Sequence, residues 1–216
     1  MSRGSPRPPV ILATRNPAKA REIAAIYARL DLELRPLADY PEIPEIREEG
    51  ATYAENAAAK ARAAALSTGL VALADDSGIE VDALGGTPGV HSARFLGPTA
   101  KDGERNARIL SLLEGIPGER RTARYRAAVA VARPNGTVRV FEGICEGRIA
   151  ATPRGTAGFG YDPIFVPEGA ERTIAEIPPE VKNRISHRAR ALRAAEPYLR
   201  EVLGLGEQDR RARDAK

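Results

Sequence analysis

The sequence predicts an α/β protein with a mixed central sheet flanked by helices. Strand-like apolar runs alternate with helical segments over the first 74 residues in the order β-α-β-loop-α-β, the pattern of a sheet with crossover helices. Residues 123–132 and 138–145 then form a hairpin through Pro134-Asn135-Gly136, which adds antiparallel strands and makes the sheet mixed. No internal repeat or low-complexity linker divides the 216 residues, and a hydrophobic content of 43% supports a sizeable core. One domain is expected over residues 1–205, followed by a charged tail, 206–216, that lacks large apolar side chains.

Each element has its own signal. Residues 10–13 read as a short buried strand running into Thr14-Arg15-Asn16-Pro17, where Asn16 can cap a helix and Pro17 suits its first position. Ile23, Ile26, Tyr27 and Leu30 mark that helix's inner face. A strand over 32–37 leads into a loop rich in Pro and Glu that ends at Gly50. Thr52 and Glu55 then form a capping box opening an alanine-rich helix that stops at Gly69. A strand over 70–74 delivers Asp75-Asp76-Ser77-Gly78, and a further strand over 79–84 is broken by Gly85-Gly86-Thr87-Pro88-Gly89. A helix over 102–113 precedes the hairpin. The turn-rich stretch 153–163 comes before a strand over 164–166, and 179–203 is helical with an interruption near Ser186.

The Asp pair stands where a buried strand should meet solvent, and ligands of open α/β sheets sit beyond the carboxyl ends of strands. Successive strand residues point to opposite faces, so Asp75 and Asp76 should face different ways, one holding structure while the other faces a metal or substrate. An Asx-turn with Gly78 supplying unusual backbone angles is the alternative. Six acids and one base lie between Asp39 and Glu55, and five bases with no acid between Lys182 and Arg193. Carboxylates for a cation and bases for an anion suit a metal–polyphosphate ligand; two solvated helix faces would give the same counts. Thr14, Asn16 and Lys19 occupy a strand-to-helix turn of the kind that favours phosphate, without the glycines of a Walker loop. Gly158-Phe159-Gly160-Tyr161-Asp162 flanks a ring with glycines, either to stack on a flat ligand or as a turn that plugs the core.

Composition narrows the classes. Cys145 stands alone, which excludes a disulfide framework or cysteine metal cluster and suits a reducing compartment; it is expected to be a small core residue. His91 is expected to be structural, whereas His187 has Ser186, Arg188 and Lys182 for company. Without a second histidine or a Ser/Cys nucleophile nearby, zinc and covalent catalysis give way to oxygen ligation of magnesium. No apolar run near residue 1 is long enough for a signal or membrane segment, so a cytoplasmic protein without membrane partners is expected. A nucleic-acid-binding module could use Arg120, Arg121, Arg124 and the basic stretch from Lys182. It would need stacking platforms, and the chain has four Phe, six Tyr and no Trp.

Taken in order, Thr14-x-Asn16-x-x-Lys19, Glu48 with Gly50, Glu55-Asn56 through Lys60-Ala61, Ala74 to Gly78, Asp82 to Gly89, Ser92-Ala93-Arg94, Gly158 to Pro163 and Ile185-Ser186-His187-Arg188 closely resemble the noncanonical purine nucleoside triphosphate pyrophosphatases, the ITPase/XTPase family. The resemblance covers residues 10–203. It implies hydrolysis of ITP, dITP and XTP to monophosphate and pyrophosphate with magnesium, by a homodimer of two-lobed α/β subunits with the active-site cleft between the lobes. On the matching positions, it implies that Asp76 accepts the proton and binds metal with Glu48. Thr14, Arg15, Asn16, Pro17, Ala18 and Lys19 would hold the triphosphate, helped by Lys60. Ser77, Phe159, Gly160, Tyr161, Asp162, Lys182, His187 and Arg188 would hold the nucleoside. Glu45 and Glu49 stand close enough to Glu48 to exchange for it. A pyrophosphatase for modified pyrimidines is the alternative within enzymes.

Overall fold

In the computed structural model, residues 7–44 and 46–205 are described; the tail expected at 206–216, and Glu45, lie outside them. The elements are β1 (Pro9–Leu12), α1 (Pro17–Ile26), β2 (Glu33–Pro36), α2 (Tyr53–Thr68), β3 (Val71–Val81), α3 (Asp102–Leu112), β4 (Thr122–Ala132), β5 (Val138–Ile149), β6 (Phe165–Pro167), α4 (Pro179–Ile185) and α5 (His187–Val202). Local chemistry sets the boundaries as expected. Asn16 caps α1 through the amides of Ala18 and Lys19, Thr52 and Glu55 form the capping box of α2, Gly69 ends it with a left-handed residue, and Ser186 separates α4 from α5 while capping the latter.

The six strands lie in the order β2-β1-β3-β4-β5-β6. β1 is parallel to both β2 and β3, and every other pairing is antiparallel. The sheet is therefore mixed, as the sequence predicts.

One expectation fails. The polar run Asp75-Asp76-Ser77-Gly78 does not end a strand but lies in the middle of β3, which runs unbroken for 11 residues. The reason is β4, which offers an antiparallel partner at every position from Ala72↔Ala132 to Val81↔Ala123, so the backbone stays paired whatever the side chains. β1 stops pairing at Leu12↔Leu73. Beyond Ala74 the β1 side of β3 thus lies open, and the Asp pair keeps its place past the carboxyl end of the parallel part. Gly78 is not a turn residue either. A Cβ there would collide with the Gly89 carbonyl and stand 2.5 Å from Ser92 Oγ and 2.7 Å from the Tyr53 hydroxyl. Its role is close approach: the 3₁₀ segment Gly89–Arg94 folds against this free edge, where Ser92 Oγ accepts from Ile79 N at 2.9 Å.

Parity along β3 and β4 sorts the layers. Val71, Leu73, Val129 and Val131 face α1 and α5 in one core, with Ile23, Tyr27, Leu192 and Leu199. Ala72, Ala74, Ala128 and Ala130 face Ala57, Ala61 and Ala64 of α2 in a second. On the first face a third core gathers further along the strands, with Ile79, Val81, Tyr125 and Cys145 against Ile109 and Phe165. Between it and the α1/α5 core the same face carries Asp75 and Ser77. Two apolar lobes flanking one polar row is the cleft architecture. Cys145 is buried, as expected, but His91 is exposed, with Nδ1 accepting from Arg94 Nε at 3.3 Å. No helix among the described residues is long and apolar enough to cross a membrane.

The start of α5 is seated by a glycine. A Cβ on Gly143 of β5 would collide with the backbone of His187 and Ala191. We therefore expect Gly143→Ala to cost about 1–3 kcal/mol, seen as a fall in melting temperature of roughly 2–4 °C per kcal/mol in calorimetry. An unchanged melting temperature would mean that α5 is not held at this distance.

Candidate active site

Asp75 points to the α1/α5 side, as its parity requires, and is fully buried. Its carboxylate accepts from Arg188 Nε at 3.1 Å and Nη2 at 3.2 Å, and pairs with Lys19 Nζ at 2.7 Å. Burial works against the charge, but the Arg188 and Lys19 cations overcome it and hold the carboxyl far below the usual carboxylate range. Ser77, two residues on, accepts from Arg188 Nη2 at 3.0 Å. Glu22 of α1 completes the cluster, pairing with Lys182 at 2.7 Å and with Arg188.

Asp76 points to the α2 side. It accepts from Asn56 Nδ2 and Lys60 Nζ, each at 3.1 Å, and the same ammonium reaches Glu48 at 2.7 Å and the Asp75 carbonyl at 2.9 Å. Arg94 holds Glu48 from the other side, donating to its carboxylate at 3.0 Å and its carbonyl at 3.2 Å. Burial raises the Asp76 pKa and the Glu48 charge adds to it, against the pull of Lys60 and Lys19. Glu48 goes the other way, because Lys60, Lys19 and Arg94 outweigh its partial burial. One carboxyl is thus made more basic than usual and the other firmly ionised. Glu49 instead lies 3.6 Å from Arg47 at the surface.

Two cavities meet at the N-terminus of α1. One, of ≈ 330 Å³, is walled by Ser77, Gly78, Tyr125, the 159–162 segment, Lys182, His187 and Arg188. The other, of ≈ 740 Å³, is walled by Thr14, Arg15, Glu48, Glu49, Lys60 and Arg94. Asn16, Lys19 and Ala93 line both. In the first, Lys182 Nζ lies 4.7 Å from the Phe159 ring centroid and the Arg188 guanidinium 5.6 Å. The His187 ring stacks on Tyr125 at 4.5 Å, and its buried Nδ1 has no partner. Burial, with Arg188 adding, pushes His187 well below its ordinary value, so the ring is neutral. A neutral imidazole in a cavity wall has the chemistry to meet a ligand's polar edge.

The structure brings nearly every sequence-predicted residue to one cavity or the other, with two exceptions. Pro17 lines neither, since it opens α1 on the exposed side. Asp76 also lines neither; it meets the larger cavity only through Lys60. The expected phosphate cradle is altered as well. The Asn16 cap already takes the Ala18 and Lys19 amides, Arg15 donates to the Ile43 carbonyl at 3.0 Å and Lys19 pairs with Asp75, so the helix dipole and the N–H groups that Lys19 keeps beyond that pair remain for an anion. Arg188 spends four of its five N–H groups on Asp75, Glu22 and Ser77. Glu22, Asn56, Arg94 and Tyr125 were missed as site residues. Glu22 and Asn56 carry a readable signal, standing three residues after Lys19 and four before Lys60 on the same helix faces, and Asn56 and Arg94 also lie in the motifs quoted above. Glu48 and Asp76 form an all-oxygen pair with a shared cationic partner, which fits a hard divalent cation that takes its other ligands from water and phosphate. No group of three or more acidic, His or Cys side chains arranged for a metal occurs among the described residues.

The Ham1 family matches residues 10–198. A Geobacillus kaustophilus protein named dITP/XTP pyrophosphatase is 47% identical over 195 residues, covering 90% of this chain and 96% of that protein. One of the same name from Geobacter sulfurreducens is 50% identical over 190 residues, covering 88% and 96%. Among solved structures, a HAM1 protein from Coxiella burnetii superposes with a TM-score of 0.80 at 41% identity, covering 90% of this chain and 99% of that one.

The Asp75 cluster predicts a pH signature. Its folded-state pKa is depressed below the unfolded value of about 3.9, so its contribution to stability is complete above that pH and is lost as pH falls through and below it. Asp75→Asn should cost about 3–5 kcal/mol at pH 7, because Arg188 and Lys19 lose a buried partner, and should flatten the fall in melting temperature from about pH 4 downwards. Thermal melts across that range check both; a variant with the wild-type slope would remove Asp75 as the cause.

Proposed function

The chain belongs to the Ham1 family, and on that premise we propose that it hydrolyses noncanonical purine nucleoside triphosphates, ITP, dITP and XTP, to the monophosphate and pyrophosphate. The observation that carries this reading is the junction of the two cavities at Asn16 and Lys19: one offers a ring and a neutral imidazole, the other the Glu48 carboxylate among cations, with Asp76 behind Lys60. A purine fits the first and a triphosphate with its cation the second.

Water attacks the α-phosphorus, the bond to the bridging oxygen breaks, and pyrophosphate leaves. Asp76 accepts the water's proton, a role helped by its raised pKa. Lys19 and Lys60 balance the charge on the departing phosphates, with Thr14, Arg15 and Asn16 beside them. Magnesium held by Glu48 and Asp76 would neutralise the developing phosphate charge. For Asp76 to serve, Lys60 must exchange its contacts with the two carboxylates for contacts with substrate. Ser77, Phe159, Gly160, Tyr161, Asp162, Lys182, His187 and Arg188 hold the nucleoside. Base choice follows from the six-position, where His187 can donate to a keto oxygen while adenine's amino group would leave that donor unpaired. The enzyme works as a cytoplasmic homodimer of single-domain subunits.

Incubation with ITP, XTP, GTP and ATP plus magnesium should release pyrophosphate, fastest from ITP and XTP. Release of orthophosphate, or equal rates on ATP, would overturn the reading. Asp76→Asn should lower turnover by about a hundredfold or more with the fold retained, and EDTA should abolish activity until magnesium is restored.

His187→Ala tests base choice. Its loss should reduce kcat/KM on ITP and XTP by about tenfold or more while leaving the slow rate on ATP nearly unchanged, because ATP never receives that bond. Arg188→Ala is a poorer probe, since it also takes one of their two cations from Asp75 and Glu22. Equal losses on ITP and ATP would move base selection away from His187.

A further inference from the structure

The segment that carries the Phe159 ring is held from outside itself. Within it, Asp162 Oδ2 accepts from Phe159 N at 2.9 Å. The Gly160 peptide is gripped on both sides by α3: its N–H donates to Asp102 Oδ2 at 2.7 Å, and its carbonyl accepts from Asn106 Nδ2 at 3.1 Å. Asp102 and Asn106 stand four residues apart and so share a helix face. Arg105 braces the grip, donating to Asp102 Oδ1 at 3.1 Å and to the Phe95 carbonyl at 3.0 Å. Asn106 is 4% exposed, and its Oδ1 has no partner. A buried amide that forgoes one bond and keeps the one to Gly160 indicates that this contact decides its placement. Gly160 itself is left-handed, at φ 64°, so its peptide orientation is a specific one.

We propose that Asp102 and Asn106 are positioning residues of the base pocket, fixing the Gly160 peptide and through it the Phe159 ring. The inference rests on the base-pocket reading above. Neither residue has a role at the reacting phosphate. Asp102 also lines the cavity while Asn106 does not, so the effect the two share is preorganisation: a ring already in place is not ordered at the ligand's expense.

The test pairs amide hydrogen exchange over residues 158–162 with calorimetric dissociation constants for IMP, which bears the base, and for inorganic triphosphate, which does not. Asp102→Ala should speed exchange at Gly160 and weaken IMP by ~5–20-fold, the loss of one charge-assisted hydrogen bond's worth of order, with triphosphate affinity held within about twofold. Asp102→Asn, which keeps an acceptor oxygen, should recover part of both effects, and Asn106→Leu should repeat them from the carbonyl side. Unchanged exchange in Asp102→Ala, or equal weakening of both ligands, overturns the proposal. Faster exchange in a protein whose wild type binds triphosphate but not IMP would instead overturn the base-pocket reading on which the proposal depends.

Discussion

A single buried carboxylate ties this molecule together. Asp75 lies in the middle of the sheet with no exposure, and its two cationic partners come from opposite ends of the chain, Lys19 from α1 and Arg188 from α5. A carboxylate cannot be taken out of water without such partners, so α1 and α5 must both reach the same point on β3. Glu22 repeats the device, joining Arg188 to Lys182. The helices that shape the smaller cavity are therefore held by the charges that line it.

The cluster is also what makes the face two-lobed. Along one side of β3, apolar residues give way to Asp75 and Ser77 and then resume at Ile79 and Val81. No apolar core can run across that row, and a cleft is left where it stands. On the opposite face the small side chains Ala72, Ala74, Ala128 and Ala130 let α2 lie close, which brings Lys60 and Asn56 onto Asp76. Adjacent carboxylates thus serve different ends, because a strand turns alternate residues to opposite faces. One is locked as an anion by two cations, while the other keeps a raised pKa beside Glu48.

The same economy limits what each side chain offers a ligand. Arg188 and Lys182 are largely consumed by Asp75, Glu22 and Asp162. What they keep for the cavity is positive potential near Phe159 and, for Arg188, one N–H. His187, stacked on Tyr125 in the same cavity wall, is not tied up in an ion pair.

The sequence by itself determined what neighbours along the chain decide: the caps at Asn16 and Thr52, the stop at Gly69, the break at Ser186, the hairpin, and the opposite facing of Asp75 and Asp76. The order of its motifs also carried the family resemblance and with it most of the residues that line the two cavities. Only the tertiary structure decided that β3 runs through its polar stretch, because the pairing that keeps it straight comes from β4, some fifty residues later. It alone joined Glu48 rather than Glu49 to Asp76, through a lysine on another element, and it alone set Arg188 on Asp75 across 113 residues. Ion pairs and sheet edges are contacts between distant segments, and their partners are chosen by the packed geometry rather than by spacing along the chain.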